Sequence, residues 1–519
     1  MDRPMRRAKR VLVVGLDGAN WDLLSRLATD GLMPHLAELQ RKSRWGALES
    51  TIPPITPTAW SALSTGMNPG KTGLYSFYVP KDSIVNFRAT TSLDVRQETL
   101  PELLERHGYK VHVINLPTFS YPKKIKGTVL GDILCPPEYS VQPKSLLEKD
   151  VYARYRSFPN MSLKHDLRAY IEDIRKVERA RFDCARDLFS TDWDFLFVMF
   201  SGVDWVQHEI YSDLLNGART KATSAGLAFY NDLDSYLGWF TSKLTPDDYL
   251  IIASDHGFRR SIGSFNINVW LQSIGLLHTR ARSTSGLDLS RSWGLRIPDA
   301  VLRAATRHRT LWRIGVNVWR SVEGRSGFAG RLKVDSASTL AFSQDTSWGI
   351  RLNSKRRFKE GILDEAGEQE AMTKIKSGLD KLAGAGIIKG YAPVGEVYSG
   401  PYVSEGPDLI LFELKRGFNA LGTSVIGNLP GNGHSMDGIF LLHGAGVKPN
   451  QGERASIYDI FPTVLTLFGV GVPTECDGTS LVEGQEGSEA SMTERSGAKS
   501  LTPREEEQIE ARLKSLGYI

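Results

Sequence analysis

The sequence predicts an α/β fold, with a mostly parallel central sheet and helices on both faces. Three observations carry that expectation. The apolar runs are short and continuous rather than alternating, as in strands buried on both sides. Helix-like segments separate them, the order expected when helical crossovers join parallel strands. Several runs stop at acidic or imidazole residues, and in such sheets ligands bind outside the carboxyl ends of the strands.

The first strand, 11–16, reads VLVVGL and stops at Asp17-Gly18. Helix-like stretches follow at 21–27 and 34–41, and a third, 58–64, is rich in small residues. Segment 100–107 leads into the strand 111–115. A long helix at 167–188 precedes the strand 195–200, FLFVMF, which has no polar residue. Another, 225–244, precedes the strand 249–253, which passes through Ser254 into Asp255-His256. The last two strands are 409–412 and 439–443.

A chain of 519 residues exceeds one simple core, so subdomains or insertions are expected. With 41% hydrophobic and 24% charged residues, its composition is that of an ordinary globular protein. A net charge of +5 is too slight to argue for a polyanionic partner, and no specific nucleic-acid partner is expected. The three cysteines, Cys135, Cys184 and Cys476, give neither a disulfide framework nor a CxxC knuckle, which fits a reducing compartment. The apolar run at 11–16 is too short for a signal-peptide core, and no run approaches the length of a membrane span. The expected location is cytoplasmic.

These patterns divide the chain into a catalytic core at 1–135, 191–277 and 346–480, a helical insertion at 136–190 and a basic cap insertion at 278–345. A linker at 481–501 and a C-terminal helix at 502–519, N-capped by Thr502, complete it. Between His278 and Lys333, twelve Arg or Lys face three Asp or Glu, with Trp293, Trp312, Trp319 and Phe328 interleaved. Two readings of that segment stand: a cap over an anionic substrate or a face for anionic membrane, and a solvated helical insertion.

The chemistry gathers at strand ends. Asp17 follows the first strand, and Asp255 and His256 follow the strand 249–253. Asp204 and His208 stand four apart in SGVDWVQHEI, so on a helix they share one face. His434 sits in the glycine-rich loop GNGHSMDG before the last strand. Three aspartates and three histidines at sheet edges make a donor set suited to divalent metal. The other histidines, His35, His107, His112, His165, His278, His308 and His443, lack this context and read as structural or surface residues. Thr56, in STIPPITPTAW, has two readings. One is a nucleophile activated by metal; the other is a capping threonine at a helix start, a role Thr58 could equally fill.

Taken together, these motifs resemble the alkaline phosphatase superfamily, and within it the type I phosphodiesterase/nucleotide pyrophosphatase family. The similar branch includes bacterial predicted phosphohydrolases and phosphomutases. VLVVGLDGANWDLL resembles the family's opening strand, and residues 53–70 its nucleophile segment. The stretches around Asp204 and His208, Ser254–Phe258 and His434 resemble its remaining site motifs. INLPTFSYP, FNINVWLQSIGLL, EVYSGPYVSEGPDLIL and YDIFPTVLTLFGVGVPTECDGTSL extend the resemblance over most of the chain.

The resemblance implies an alkaline-phosphatase-like fold and two divalent metals, Zn²⁺ or Mn²⁺. Asp17, Asp255, His256 and the Thr56 oxygen would hold one; Asp204, His208 and His434 would hold the other. It implies hydrolysis of phosphodiester or nucleotide pyrophosphate-type bonds through a phospho-threonine. Phosphomonoester hydrolysis, phosphonate hydrolysis and phosphotransfer are alternatives on the same site, and a non-catalytic membrane- or partner-binding protein is a further one. The partner expected is a phosphate-containing small molecule or lipid-linked substrate, with 278–333 as the surface for anionic membrane. The sequence departs from the pattern at Thr58, where the family has proline, and at Thr72, where it has histidine. Tyr75-Ser76-Phe77 stands where the pyrophosphatases carry an asparagine, which keeps other phosphate esters open as substrates. Arg356 or Arg357 takes the place of an arginine the branch often carries after a strand.

Overall fold

Strand β1 (Arg10–Leu16) lies at the middle of the molecule because both of its faces are apolar. Val11 and Val13 enter one hydrophobic core; Leu12, Val14 and Leu16 enter the opposite one. The computed structural model describes residues 9–121, 125–279, 334–344, 347–419, 424–483, 492–493 and 501–516.

In chain order the elements that build the site are α1 (Trp21–Thr29), β2 (Arg44–Glu49), α2 (Thr56–Thr65), β3 (Val111–Ile114), β4 (Val129–Leu130) and β5 (Val141–Gln142). Then come α3 (Leu167–Phe189), β6 (Phe195–Phe200), α4 (Gly202–Leu215), α5 (Lys221–Lys243), β7 (Asp248–Ala253) and β8 (Gly257–Ser261). The last are α6 (Glu365–Gly384), β9 (Gly431–Ser435), β10 (Asp437–His443), β11 (Asn450–Ser456), α7 (Ile460–Phe468) and α8 (Pro503–Leu516).

Nine strands form the central sheet in the order β11-β2-β10-β7-β1-β6-β3-β4-β5. Strands β7, β1, β6, β3 and β4 run parallel to one another, while β10 beside β7 and β5 beside β4 are antiparallel. The parallel centre has the two-sided burial the sequence predicts. On β6, Phe195, Phe197 and Met199 face one core and Leu196, Val198 and Phe200 the other. Each such side chain contributes roughly 1.5–3 kcal/mol on burial. Helices α3 and α5 cover one face and α2 and α7 the other. Helix α3, within the stretch read as the insertion 136–190, thus shares its core with β1 and β6.

A third core joins α6 to a four-stranded sheet of Ala341–Phe342, Gly349–Leu352, Leu409–Glu413 and Ile388–Pro393. The predicted strand at 409–412 belongs here, in antiparallel pairing, and not in the central sheet. A continuous apolar run reports burial on two faces but not which sheet supplies it. Strands β2 and β11 carry too many polar residues to be seen as strands in sequence; β11 is an edge strand and β2 lies beside it. Residues 280–333 of the basic segment, with its four interleaved aromatics, lie outside the described residues. Its flanks, Thr279 and Val334, form an antiparallel bridge, so the segment leaves and returns at one place. Among the described residues, no helix is long and apolar enough to cross a membrane.

One glycine shows how the centre was shaped. A Cβ at Gly15 on β1 would lie 2.6 Å from Cη2 of Trp60 and 2.9 Å from Cγ of Met199. The gap in the apolar run is therefore the socket for Trp60, a fully buried residue of α2, the helix that begins at Thr56.

Candidate metal centre and nucleophile

The carboxyl ends of β1, β7 and β6 open on the same edge of the sheet, and the predicted residues meet there. Asp17 leaves β1 in a turn closed by Gly18 at φ +68°, where a Cβ would come within 3.1 Å of Asp204 Oδ1. The Gly18 N–H donates to Asp255 Oδ1 at 3.1 Å, tying the turn to the end of β7. Helix α4 starts directly after β6 and presents Asp204 and His208 one turn apart, with His208 Nε2 3.3 Å from Asp204 Oδ1. Between them, Gln207 donates to Gly18 O at 2.7 Å and accepts from Asn20 at 2.8 Å, fixing α4 against the β1 turn.

His434 arrives through strand pairing. Strand β8 continues from Asp255-His256 and pairs antiparallel with β9, matching Phe258 to His434. The rings of His434 and His256 then stack with centroids 3.7 Å apart. His434 Nε2 lies 3.2 Å from Asp204 Oδ1 and 3.1 Å from His208 Nε2. His256 Nε2 lies 3.2 Å from Asp255 Oδ2 and 3.7 Å from Asp17 Oδ1.

These atoms fit a metal site. In one group, Asp204, His208 and His434 offer ligand atoms all within 4.8 Å of one another; in a second, Asp17, Asp204 and His256 do the same. Asp204 thus stands between the two sets. His434 Nδ1 lies 2.8 Å from Pro54 O and His256 Nδ1 3.1 Å from Gly257 O. A proton on each Nδ1 leaves the Nε2 lone pair directed into the cluster, the arrangement of metal-ligating histidines. Among the described residues, the buried atoms Asp17 Oδ1, Asp255 Oδ2 and His256 Nε2 have no hydrogen-bond partner. Buried polar atoms without partners are costly unless a ligand or ion takes them up.

Charge adds to the case. Burial, then Asp255 and Asp204, push the Asp17 carboxyl well above the usual carboxylate range. Burial lifts Asp255 to about 8, against the Gly18 N–H bond. Asp204 goes the other way: burial opposes its charge, but His208 and His434 outweigh it and hold it well below the ordinary value. Burial and then His434 push His256 well down, so its imidazole is neutral, the form that ligates. Three carboxylates this close need cations to be ionised together.

Thr56 opens α2, but it does not cap it. The N-cap is Ile55, and the Oγ1 atoms of Thr56 and Thr58 both lack a hydrogen-bond partner among the described residues. The capping role considered for either threonine is therefore not the one the structure gives them. Thr56 and Asp17 line one small cavity with Asn115, Asp132, Ser201 and Trp205. Asn115 and Asp132 escaped the sequence reading. Asn115 sits in left-handed backbone at φ +64°, its Nδ2 donating to Met199 O at 3.1 Å and Ser201 Oγ at 2.8 Å. Asp132 is buried and accepts from Ser120 Oγ and Leu134 N, both at 2.6 Å. A polar residue closing an apolar strand was the available signal for Asn115.

Fold and site together define an α/β protein with a cluster of metal-ligating side chains at the carboxyl edge of its central sheet. The family model for type I phosphodiesterase / nucleotide pyrophosphatase matches residues 11–311, and the chain belongs to that family. It acts on phosphoric ester bonds. Among solved structures, phosphonoacetate hydrolase from Sinorhizobium meliloti 1021, in complex with phosphonoformate, aligns with a TM-score of 0.54 at 12% identity. That alignment covers 90% of this chain and 97% of the hydrolase. The alkaline phosphatase PafA aligns with a TM-score of 0.53 at 14% identity, over 92% of this chain and 99% of its own. At such identities the likeness is one of fold. No curated protein matches the chain.

Proposed function

We propose that this protein is a two-metal phosphohydrolase that cleaves phosphodiester or pyrophosphate-type bonds through a phospho-threonine at Thr56. The observation that carries the reading is convergence. Five separate segments supply Asp17, Thr56, Asp204/His208, Asp255/His256 and His434 to one sheet edge, where the buried atoms Asp17 Oδ1, Asp255 Oδ2 and His256 Nε2 lack a hydrogen-bond partner among the described residues. Asp17, Asp255, His256 and Thr56 would hold one ion; Asp204, His208 and His434 would hold the other, with Zn²⁺ best suited to this mixture and Mn²⁺ an alternative. Bound there, two divalent cations supply Lewis acidity to the phosphoryl oxygens and lower the pKa of the threonine hydroxyl.

The chain's own residues do the rest. Thr56 Oγ1, held at the first turn of a fully buried helix, is fixed for in-line attack; its bond to phosphorus forms as the ester oxygen leaves. Water then splits the threonine ester and returns the hydroxyl. Pro54 O, bonded to His434 Nδ1, ties the nucleophile loop to the ligand cluster and keeps the two in register. The cavity around Thr56 is lined by Asp17, Asp132 and Asn115, with no Lys or Arg among the described residues, so the phosphoryl charge would be met by the two cations and not by a side chain there.

The test is hydrolysis of bis(p-nitrophenyl) phosphate by metal-loaded protein, with metal content measured alongside. Thr56→Ala is expected to bind metal and lose turnover, while Asp204→Asn loses metal as well. Full turnover by a metal-loaded Thr56→Ala protein would sink the proposal.

A further inference from the structure

A second charged cavity lies behind the nucleophile loop, and its chemistry differs from that of the metal centre. It has a volume of about 330 Å³ and is lined by Tyr75, Lys81, Arg351, Arg356, Arg357 and Glu405, among others. A cavity of that size suits part of a small molecule.

Arg351 decides what belongs there. It stands on the strand Gly349–Leu352 and is only 3% exposed. Its Nη1 donates to the carbonyls of Glu405 and Gly406, both at 2.7 Å. Its Nε has no hydrogen-bond partner, and it makes no ion pair among the described residues. Asp408, whose charge would favour the cation, is engaged by Arg357 at 3.2 Å and Arg356 at 3.9 Å. The outer cations have partners of their own: Lys81 meets Glu506 at 3.2 Å and Arg356 meets Glu368 at 3.1 Å. Glu405 is drawn toward Arg96 at 3.4 Å. Burial, and then the neighbouring Arg357, both work against the charge on Arg351. A buried guanidinium with a spare donor and no carboxylate is an expensive arrangement unless an anion completes it.

The geometry points to a binding pocket for an anionic group, phosphate or carboxylate, on a small organic molecule, seated on Arg351 and Arg357 against the Tyr75 ring. The pocket is wired to the nucleophile. Tyr75 packs edge-on to Tyr398, whose hydroxyl accepts from Ile52 N at 2.6 Å and donates to Ile52 O at 2.8 Å. Ile52 begins the IPPI turn that leads to Thr56. Two sources of the anion share this chemistry: the far end of the substrate itself, and a separate small-molecule effector.

The test is calorimetric titration of the metal-loaded full-length protein with inorganic phosphate, which reads the pocket whether or not turnover occurs. Arg351→Met and Arg357→Met are each expected to abolish one class of phosphate site or weaken it at least tenfold. Asp408→Asn, which releases Arg357 from its carboxylate, is expected to tighten it, an effect no loss of structure produces. Because Asp408→Asn keeps the shape of the side chain and an acceptor for Leu352 N, the test survives if Arg351→Met fails to fold. Kinetics separate the two sources. If the anion is part of the substrate, Arg351→Met raises KM for a nucleoside triphosphate but not for bis(p-nitrophenyl) phosphate. If it is an effector, phosphate changes kcat for bis(p-nitrophenyl) phosphate in the wild type and not in Arg351→Met. Identical phosphate stoichiometry and affinity in the wild type and all the variants would overturn the assignment.

Discussion

Arg181→Met probes how the helix that carries two of the ligands is held. Glu178 and Arg181 lie one turn apart on α3, with side chains 2% and 0% exposed. Arg181 Nη1 donates to both Glu178 oxygens, at 2.7 and 2.6 Å. Glu178 Oε1 also accepts the Gly202 N–H at 2.6 Å, and Gly202 is the first residue of α4, two before Asp204. A Cβ at Gly202 would lie 2.8 Å from Ile174 and Phe229 and 2.9 Å from Glu178, so the helix start is seated closely on α3. Burial raises the Glu178 pKa even against the Arg181 pair, which marks the site as one where desolvation dominates. Removing the arginine leaves a bare buried carboxylate, a loss of about 3–5 kcal/mol. Glu178→Gln combined with Arg181→Met removes the charge but keeps an acceptor for Gly202, so most of that loss returns, to within about 1 kcal/mol of the wild type. Disturbing this anchor at the start of α4 weakens metal binding about 10–100-fold in the single variant, as for other groups that orient ligands. Urea unfolding of the three proteins, with metal affinity measured against a chromogenic chelator, reads both quantities. A single variant within about 1 kcal/mol of the wild type, or a double variant as unstable as the single, would refute the reasoning.

Three further outcomes follow from particular contacts. Gly15→Ala overpacks the Trp60 socket and is expected to lose about 1–3 kcal/mol in urea unfolding, with turnover falling as α2 shifts Thr56; an unchanged midpoint would contradict the 2.6 Å contact. Asp248 is opposed by burial, but hydrogen bonds from Arg10 and Thr245 outweigh it and lower its pKa from 3.8. A depressed folded pKa gives stability that is present above the unfolded value and lost as pH falls through the folded one. The advantage of wild type over Asp248→Asn should therefore hold near neutrality and shrink below about pH 4 in pH-dependent unfolding. Asp17→Asn removes one of three crowded carboxylates, so with chelator present its melting temperature should equal or exceed that of the wild type, whereas added Zn²⁺ should stabilise the wild type more.

Much of the parallel centre was legible because β1, β6 and β7 are apolar on both faces, a pattern few other placements satisfy. Asp255-His256 was legible for the same reason: a strand that apolar must end at the edge of a core, and polar groups there face a cleft. Two strands near the rim, β2 and β11, were not, since a strand reading NQGERAS owes its place to β2 beside it and not to its own hydrophobicity. The place of Gly15 within an apolar run has no local reason, and Trp60, distant in sequence, explains it. His434 could be suspected from its glycine loop, but its stacking on His256 comes from the β8–β9 register, which no local pattern encodes. Asn115, Asp132 and Glu178 stayed hidden because a buried polar side chain declares its role only through partners on other elements.

The register of β1 against β7 joins stability to chemistry. Arg10 is paired with Asp248 and Gly15 with Ala253, and the same offset carried two residues further sets Asp17 level with Asp255. At the amino end the pairing gives an ion pair of opposite charges, Arg10 Nη2 to Asp248 Oδ2 at 2.6 Å, with the guanidinium over the rings of Trp193 and Phe189. At the carboxyl end it gives two buried like charges that the polypeptide alone leaves in conflict. Between them, apart from Ser254, lie side chains committed to one core or the other. A slip of one residue would turn every one of those side chains to the wrong face, break the Arg10 pair and separate Asp17 from Asp255 together. The attractive end and the apolar length therefore hold in place a repulsive end that has no stabilising purpose of its own, which is what a sheet must do to present carboxylates to cations.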